Sequence, residues 1–195
     1  LLVVTGPPGA GKSTVARALA GRVGPSSVLV AGDAFFAFLA NGAVDPWRPE
    51  SHVQNTVVTE AAAQAAGRFA GDYDTVYDGV LGPWFLATFA AAAGLDALDY
   101  VILSPSADTC VARIRSRAGH TFSDESAARH LHEHFRSARI DARHVLATDD
   151  MDAGATADAV LAARAAGRLQ LRPRSLSFRR MCAANDRATG RDDVG

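Results

Sequence analysis

The stretch LLVVTGPPGAGKST, Leu1 to Thr14, joins an apolar run to a glycine-rich turn and then to a helical pattern. Leu1 to Val4 shows no polar alternation, the mark of a strand buried on both faces. Gly6, Gly11, Lys12 and Ser13 satisfy the spacing G-x-x-x-x-G-K-[ST], with the strand running in and the helix running out. Gly9 and Gly11 permit backbone angles that a Cβ would strain, so the N–H groups of the turn can converge on one anion. The helix that starts near Ser13 adds its positive end. Gly6, Pro7, Pro8, Gly9, Ala10, Gly11, Lys12, Ser13 and Thr14 are therefore read as a nucleotide-phosphate cradle. In it Lys12 bridges the β- and γ-phosphates and Ser13 offers a hydroxyl to Mg²⁺.

Composition sharpens the reading of Lys12. Of the twenty basic side chains nineteen are Arg, and Lys12 is the one Lys. GC-rich coding pressure turns Lys into Arg freely, so a surviving Lys is one that Arg cannot replace: a planar fork fits poorly inside a closed phosphate loop. At 195 residues with a formal net charge of −1, the chain suits one domain with a short appendage. No global field draws it to nucleic acid or an anionic membrane. It has no run of about eighteen apolar residues and no leader pattern. Cys110 and Cys182 suggest neither bridge nor metal site. These features point to a cytoplasmic chain.

Outward from the first strand, apolar runs alternate with helical patterns. Strands are expected at Ser27–Ala31, Asp74–Val80, Asp99–Ser104 and His144–Thr148. Helices are expected from about His52 to Phe69, from Pro83 to Ala93 and across SADTCVARIRSR with Ser106 as cap. Two more follow, one capped by Ser123 and one over ATADAVLAARAAG. Five apolar runs joined by helices imply right-handed crossovers and an α/β three-layer sandwich around a five-stranded parallel sheet. Arg172 to Gly195 carries six Arg against three Asp with no periodicity, and reads as a mobile or loosely docked basic tail. The domain is placed at 1–171 and the tail at 172–195.

The absence of a guanine-recognition motif counts against a GTPase, and the length falls short of an AAA+ module with its separate helical lid domain. GPPGAGKST, GDAFF after the second strand, YDG ending the third and RIRSRAGHTF follow one another in order. Together they resemble the small-molecule kinases of the nucleoside-monophosphate-kinase-like group, which includes gluconate kinase, shikimate kinase, chloramphenicol phosphotransferase and the zeta-toxin kinases. The likeness spans roughly Leu1 to Gly167. It implies a P-loop fold with a small helical lid around 119–124, ATP and Mg²⁺ as cofactors, and phosphoryl transfer to a hydroxyl of a small molecule.

Asp33 follows the second strand, at the sheet edge where open α/β folds bind ligands. The resemblance makes it the base that takes the acceptor's proton; the alternative is a cap for the AFFAFLA helix. Asp78 stands where a Walker B carboxylate would hold Mg²⁺; the alternative is a turn residue before Gly79. Arg113 and Arg117 share a helix face leading to the lid. Arg117 is the candidate for screening charge on the transferring phosphoryl, and Arg113 for the adenine or α-phosphate; the alternative is a solvated basic face.

His130 and His134 have a spacing able to ligate zinc, and are equally an exposed face with Leu131 and Phe135 turned inward. The segments after the second and third strands should wall the acceptor pocket, with Asp33, Phe36, Trp47, Arg48, His52, Trp84 and, from the lid, His120 as candidate contacts. Their aromatic content favours an acceptor with an apolar body, and Arg48 suits an acidic group. Competing functions are a polynucleotide or nucleoside kinase, and a P-loop ATPase module without an acceptor. Nucleic acid is not the expected partner, and nothing in the sequence sets the oligomeric state.

Overall fold

A computed structural model of the chain describes residues 1–116 and 124–172. Strands β1 (Leu2–Thr5), β2 (Ser27–Ala31), β3 (Asp74–Asp78), β4 (Leu98–Leu103) and β5 (Val145–Leu146) run parallel in the order β2-β3-β1-β4-β5. Among the described residues six α-helices accompany them: α1 (Lys12–Ala20), α2 (His52–Ala70), α3 (Leu86–Ala93), α4 (Ala107–Arg115), α5 (Glu125–Ser137) and α6 (Ala153–Ala165).

All four residues of β1 are buried, and they divide between two cores. Leu2 and Val4 join Val15, Leu19, Ala157 and Val160 under α1 and α6. Val3 joins Tyr77, Tyr100, Ile102 and Phe89 under α2 and α3. Apolar residues face both ways, which is why the strand shows no polar alternation. The expected three-layer α/β sandwich is what forms.

Several boundaries depart from the sequence reading for local reasons. The fifth strand is two residues long, because His144 lies in a 3-10 turn and uses its ring in place of the ladder: Nδ1 donates to the Tyr100 carbonyl at 3.0 Å. Tyr100 N–H is taken instead by Leu169 O at 2.9 Å, and a two-residue strand β6 (Gln170–Leu171) adds antiparallel to Leu98–Asp99. Asp124, not Ser123, caps α5, its carboxylate accepting from Ala127 N–H at 3.0 Å. A carboxylate caps well and suits the positive helix end. The AFFAFLA segment is a 3-10 helix over Gly32–Phe38. The expected lid, Gly119 to Asp124, lies outside the described residues apart from Asp124; so does the tail beyond Arg172.

α2 and α3 meet backbone to backbone at Gly67, where an added Cβ would overlap the Ala93 carbonyl oxygen and sit 2.8 Å from Ala93 Cα. Gly67→Ala therefore forces backbone against backbone, a cost of about 3 kcal/mol. Better helix propensity returns about 1 kcal/mol. The net loss, about 2 kcal/mol, should lower the melting temperature by roughly 4–8 °C; an unchanged or higher midpoint in a thermal melt would contradict this packing.

Candidate active site

The turn after β1 brings the phosphate-cradle residues together at the carboxyl edge of the sheet. Gly9 and Gly11 have φ of +81° and +91°, left-handed angles that favour glycine. Gly9 also lies against α4, where a Cβ would come within 2.9 Å of Cys110 Cα. Lys12 is 7% exposed and its Nζ donates to the Pro7 carbonyl at 3.1 Å, so the charge is folded over the turn that it serves. Arg113, half-buried on α4, points Nη1 at the carbonyls of Ala10 (3.4 Å) and Gly9 (3.5 Å). Arg113 thus bears directly on the backbone of the loop. The burial of Cys110 in the same contact pushes its thiol up to about 11, so it stays protonated.

Asp78 ends β3 beside Val4 of β1 and Ala31 of β2. It is 8% exposed and receives the Ser13 hydroxyl. Burial pushes its carboxyl up, against the opposing pull of the Ser13 hydrogen bond and the Lys12 charge. Its Oδ1 is buried without a hydrogen-bond partner among the described residues. An orphaned carboxylate oxygen next to a serine hydroxyl is a donor set suited to a hard, oxygen-binding cation such as Mg²⁺. Gly79 N–H reaches Val4 O at 3.4 Å and Leu81 N–H reaches Thr5 Oγ1 at 2.9 Å, which hold the chain beyond Asp78 alongside β1.

Asp33 lies two residues beyond Ala31, the register partner of Asp78. It is exposed, and its charge acts on both Asp78 and the buried Tyr77 phenol. The 3-10 helix that contains it has no side-chain cap, so the capping alternative for Asp33 does not hold. Asp33, Asp78, Ser13 and Lys12 thus share one edge.

The candidate acceptor residues are less uniform. Gln54 pins the loop before α2 by bonding both the N–H and the carbonyl of Val44, at 2.8 and 2.7 Å. Arg48 is held by Asp45 at 3.3 Å and Glu50 at 3.9 Å. His52 stacks on Phe85 at 5.8 Å, while Phe36 and Trp47 are half-buried. Trp84 packs on Phe135 at 5.2 Å and meets His134 edge-on at 5.7 Å, which ties it to α5. His130 and His134 sit ring to ring at 4.1 Å, and the described residues contain no group of three or more metal-ligating side chains. Arg117 and His120 lie outside the described residues.

One cluster was not visible in the sequence. Asp149, in the loop before α6, accepts from Ser106 N–H at 2.9 Å and Thr109 Oγ1 at 2.8 Å, and these bonds hold its carboxyl below the usual range. The loop is thereby tied to the start of the helix that carries Cys110 and Arg113. Only the Ser106 cap was legible, because Asp149 is 43 residues away.

The family model described as an AAA domain matches residues 1–141. The chain belongs to that family. No curated protein matches the sequence. Among solved structures, this AAA domain is similar to the tunicamycin resistance protein of Deinococcus radiodurans, with 16% identity and a TM-score of 0.63 over 83% of this chain and 92% of that one. It is similar to a gluconokinase from Sinorhizobium meliloti, with 23% identity and a TM-score of 0.57 over 86% and 92%. It is also similar to shikimate kinase from Acinetobacter baumannii, with 21% identity and a TM-score of 0.59 over 86% and 94%. At these identities the likeness establishes the fold, that of P-loop kinases in the group the motifs resemble. No helix of the AAA domain's described residues is long and apolar enough to cross a membrane.

Proposed function

We propose that the chain is an ATP- and Mg²⁺-dependent kinase that transfers the γ-phosphoryl group to a hydroxyl of a small molecule in the cytoplasm. Residues 1–171 form the catalytic unit, with a lid around 119–124, and 172–195 an appended tail. The observation that carries the reading is the shared edge: Ser13 and Asp78 beside Lys12, and Asp33 two residues past the partner of Asp78. Loop amides and Lys12 bind the phosphates, and Ser13 and Asp78 hold Mg²⁺, which when bound neutralises charge on the phosphoryl oxygens. Asp33 accepts the proton of the acceptor hydroxyl as its oxygen bonds to phosphorus and ADP departs. Arg117 is assigned to the phosphoryl group in the closed state by the family likeness. The gluconokinase and the shikimate kinase among the similar structures support a hydroxyl acceptor by analogy of fold.

A coupled ADP-release screen over sugars, sugar acids, nucleosides and antibiotics tests the reading. At least one acceptor is expected to raise ADP release about tenfold or more over acceptor-free hydrolysis, which is 1.4 kcal/mol of barrier. The phosphorylated product should then be identified by mass. ATP bound normally, with no acceptor accelerating its use, would favour the ATPase module instead.

A further inference from the structure

Two tyrosines are buried in the sheet, and they treat their hydroxyls differently. Tyr100 is fully buried and donates to the Leu81 carbonyl at 2.7 Å. Tyr77 is 5% exposed with its ring against Phe89 at 4.7 Å, yet no hydrogen bond reaches its hydroxyl among the described residues. Unlike Asp78 Oδ1, the Tyr77 hydroxyl is not sealed from solvent, so a ligand can reach it from outside the core. The ring is also given special room. A Cβ on Gly32 would overlap the Tyr77 hydroxyl and come within 2.5 Å of Cζ, and one on Gly79 would lie 3.0 Å from the hydroxyl oxygen. Gly32 immediately precedes Asp33, and Gly79 immediately follows Asp78. The unpartnered hydroxyl therefore stands between the two backbone segments that carry the proposed base and the proposed Mg²⁺ carboxylate.

We propose that Tyr77 is an acceptor-binding residue, donating its hydroxyl hydrogen to the same acceptor oxygen whose proton goes to Asp33. The inference rests on the kinase reading above. An alcohol oxygen carries one proton and two lone pairs. With the proton directed at Asp33 and one lone pair at Tyr77, the remaining lone pair is the one free to attack phosphorus. During transfer the acceptor O–P bond forms and the bond from the γ-phosphorus to the bridging oxygen of ADP breaks. The acceptor's proton passes to Asp33, and Tyr77 keeps its own. The device selects a neutral hydroxyl: an ammonium group in the same place has three donors and no lone pair for Tyr77 to engage.

Tyr77→Phe keeps the ring between the two glycines and removes only the hydroxyl. On the acceptor with the highest wild-type turnover in the screen, kcat/KM for that acceptor should fall roughly tenfold, the worth of one such bond. KM for ATP and the thermal midpoint should stay at wild-type values, and the preference for the alcohol over its amino analogue should narrow. A tyrosine that serves packing alone would either leave every parameter unchanged or shift the midpoint and both KM values together, and each of these results overturns the proposal. Full activity in Tyr77→Phe beside an inactive Asp33→Asn chain overturns this inference and leaves the kinase reading intact. A wild-type chain that transfers to no acceptor overturns both.

Discussion

Asp33→Asn is expected to lower phosphoryl transfer by a factor on the order of 10²–10⁴, the usual contribution of a positioned general base. Asn has the shape of Asp but its amide cannot take a proton, so the substitution isolates the chemical role. Three observations keep the interpretation clean. Asp33 is exposed, it caps no helix, and it follows β2 without belonging to it, so the fold should lose no more than about 0.5 kcal/mol. The phosphate cradle is built from Gly6 to Thr14 and does not include it, so ATP binding measured by calorimetry should change less than about twofold. Transfer at the wild-type rate in this variant would remove Asp33 from the role. A loss of ATP binding in parallel with activity would mean that Asp33 belongs to the donor side.

The donor half of the site was legible in the sequence because its chemistry demands fixed residue types at fixed spacing. A turn whose amides face one anion needs glycine where φ is positive, and Gly9 and Gly11 sit there. Asp33 and Asp78 were legible for a related reason. Both stand where apolar runs end, and parallel strands must end on the same edge. The position of Arg113 was harder: its helix face could be read, but its contact with the Gly9 and Ala10 carbonyls depends on how α4 crosses the loop.

Tyr77 was not legible at all. In the sequence it is one more aromatic in an apolar strand, and its unpartnered hydroxyl and flanking glycines emerge only when Gly32 and Gly79 are brought to either side of it. The short fifth strand was missed for the opposite reason. HVLAT has the composition of a strand, but the His144 ring takes the Tyr100 carbonyl that a longer ladder would have used. Side-chain competition for one backbone acceptor leaves no trace in periodicity. Trp84 shows the same limit, since an aromatic after a strand can face a cleft or pack on a helix, and here it packs on Phe135 of α5.

Lys12→Arg tests the inference drawn from nineteen arginines and one lysine. If coding pressure alone set the composition, the exchange would be harmless, as Arg22→Lys should be on the exposed surface where Arg22 meets Asp158. At Arg22 a change within about 0.5 kcal/mol is expected. At Lys12 the side chain is 7% exposed and its ammonium reaches back to the Pro7 carbonyl at 3.1 Å, so a larger planar fork would have to fit where a compact ammonium is already enclosed. A guanidinium there must either push the loop open or leave it, and in both cases its charge is displaced from the phosphates. Removing one preorganised donor from a developing charge costs about 10²–10³ in kcat, so Lys12→Arg should lose that much turnover although its charge is conserved. The fold should survive, because the apolar contacts of Val15, Ala16 and Leu19 on α1 and all of β1 are untouched, and circular dichroism would register this. Single-turnover kinetics with saturating ATP would separate the loss in transfer from any loss in binding. Wild-type turnover in Lys12→Arg would mean that charge alone suffices, and that the lone lysine of the chain is an accident of composition.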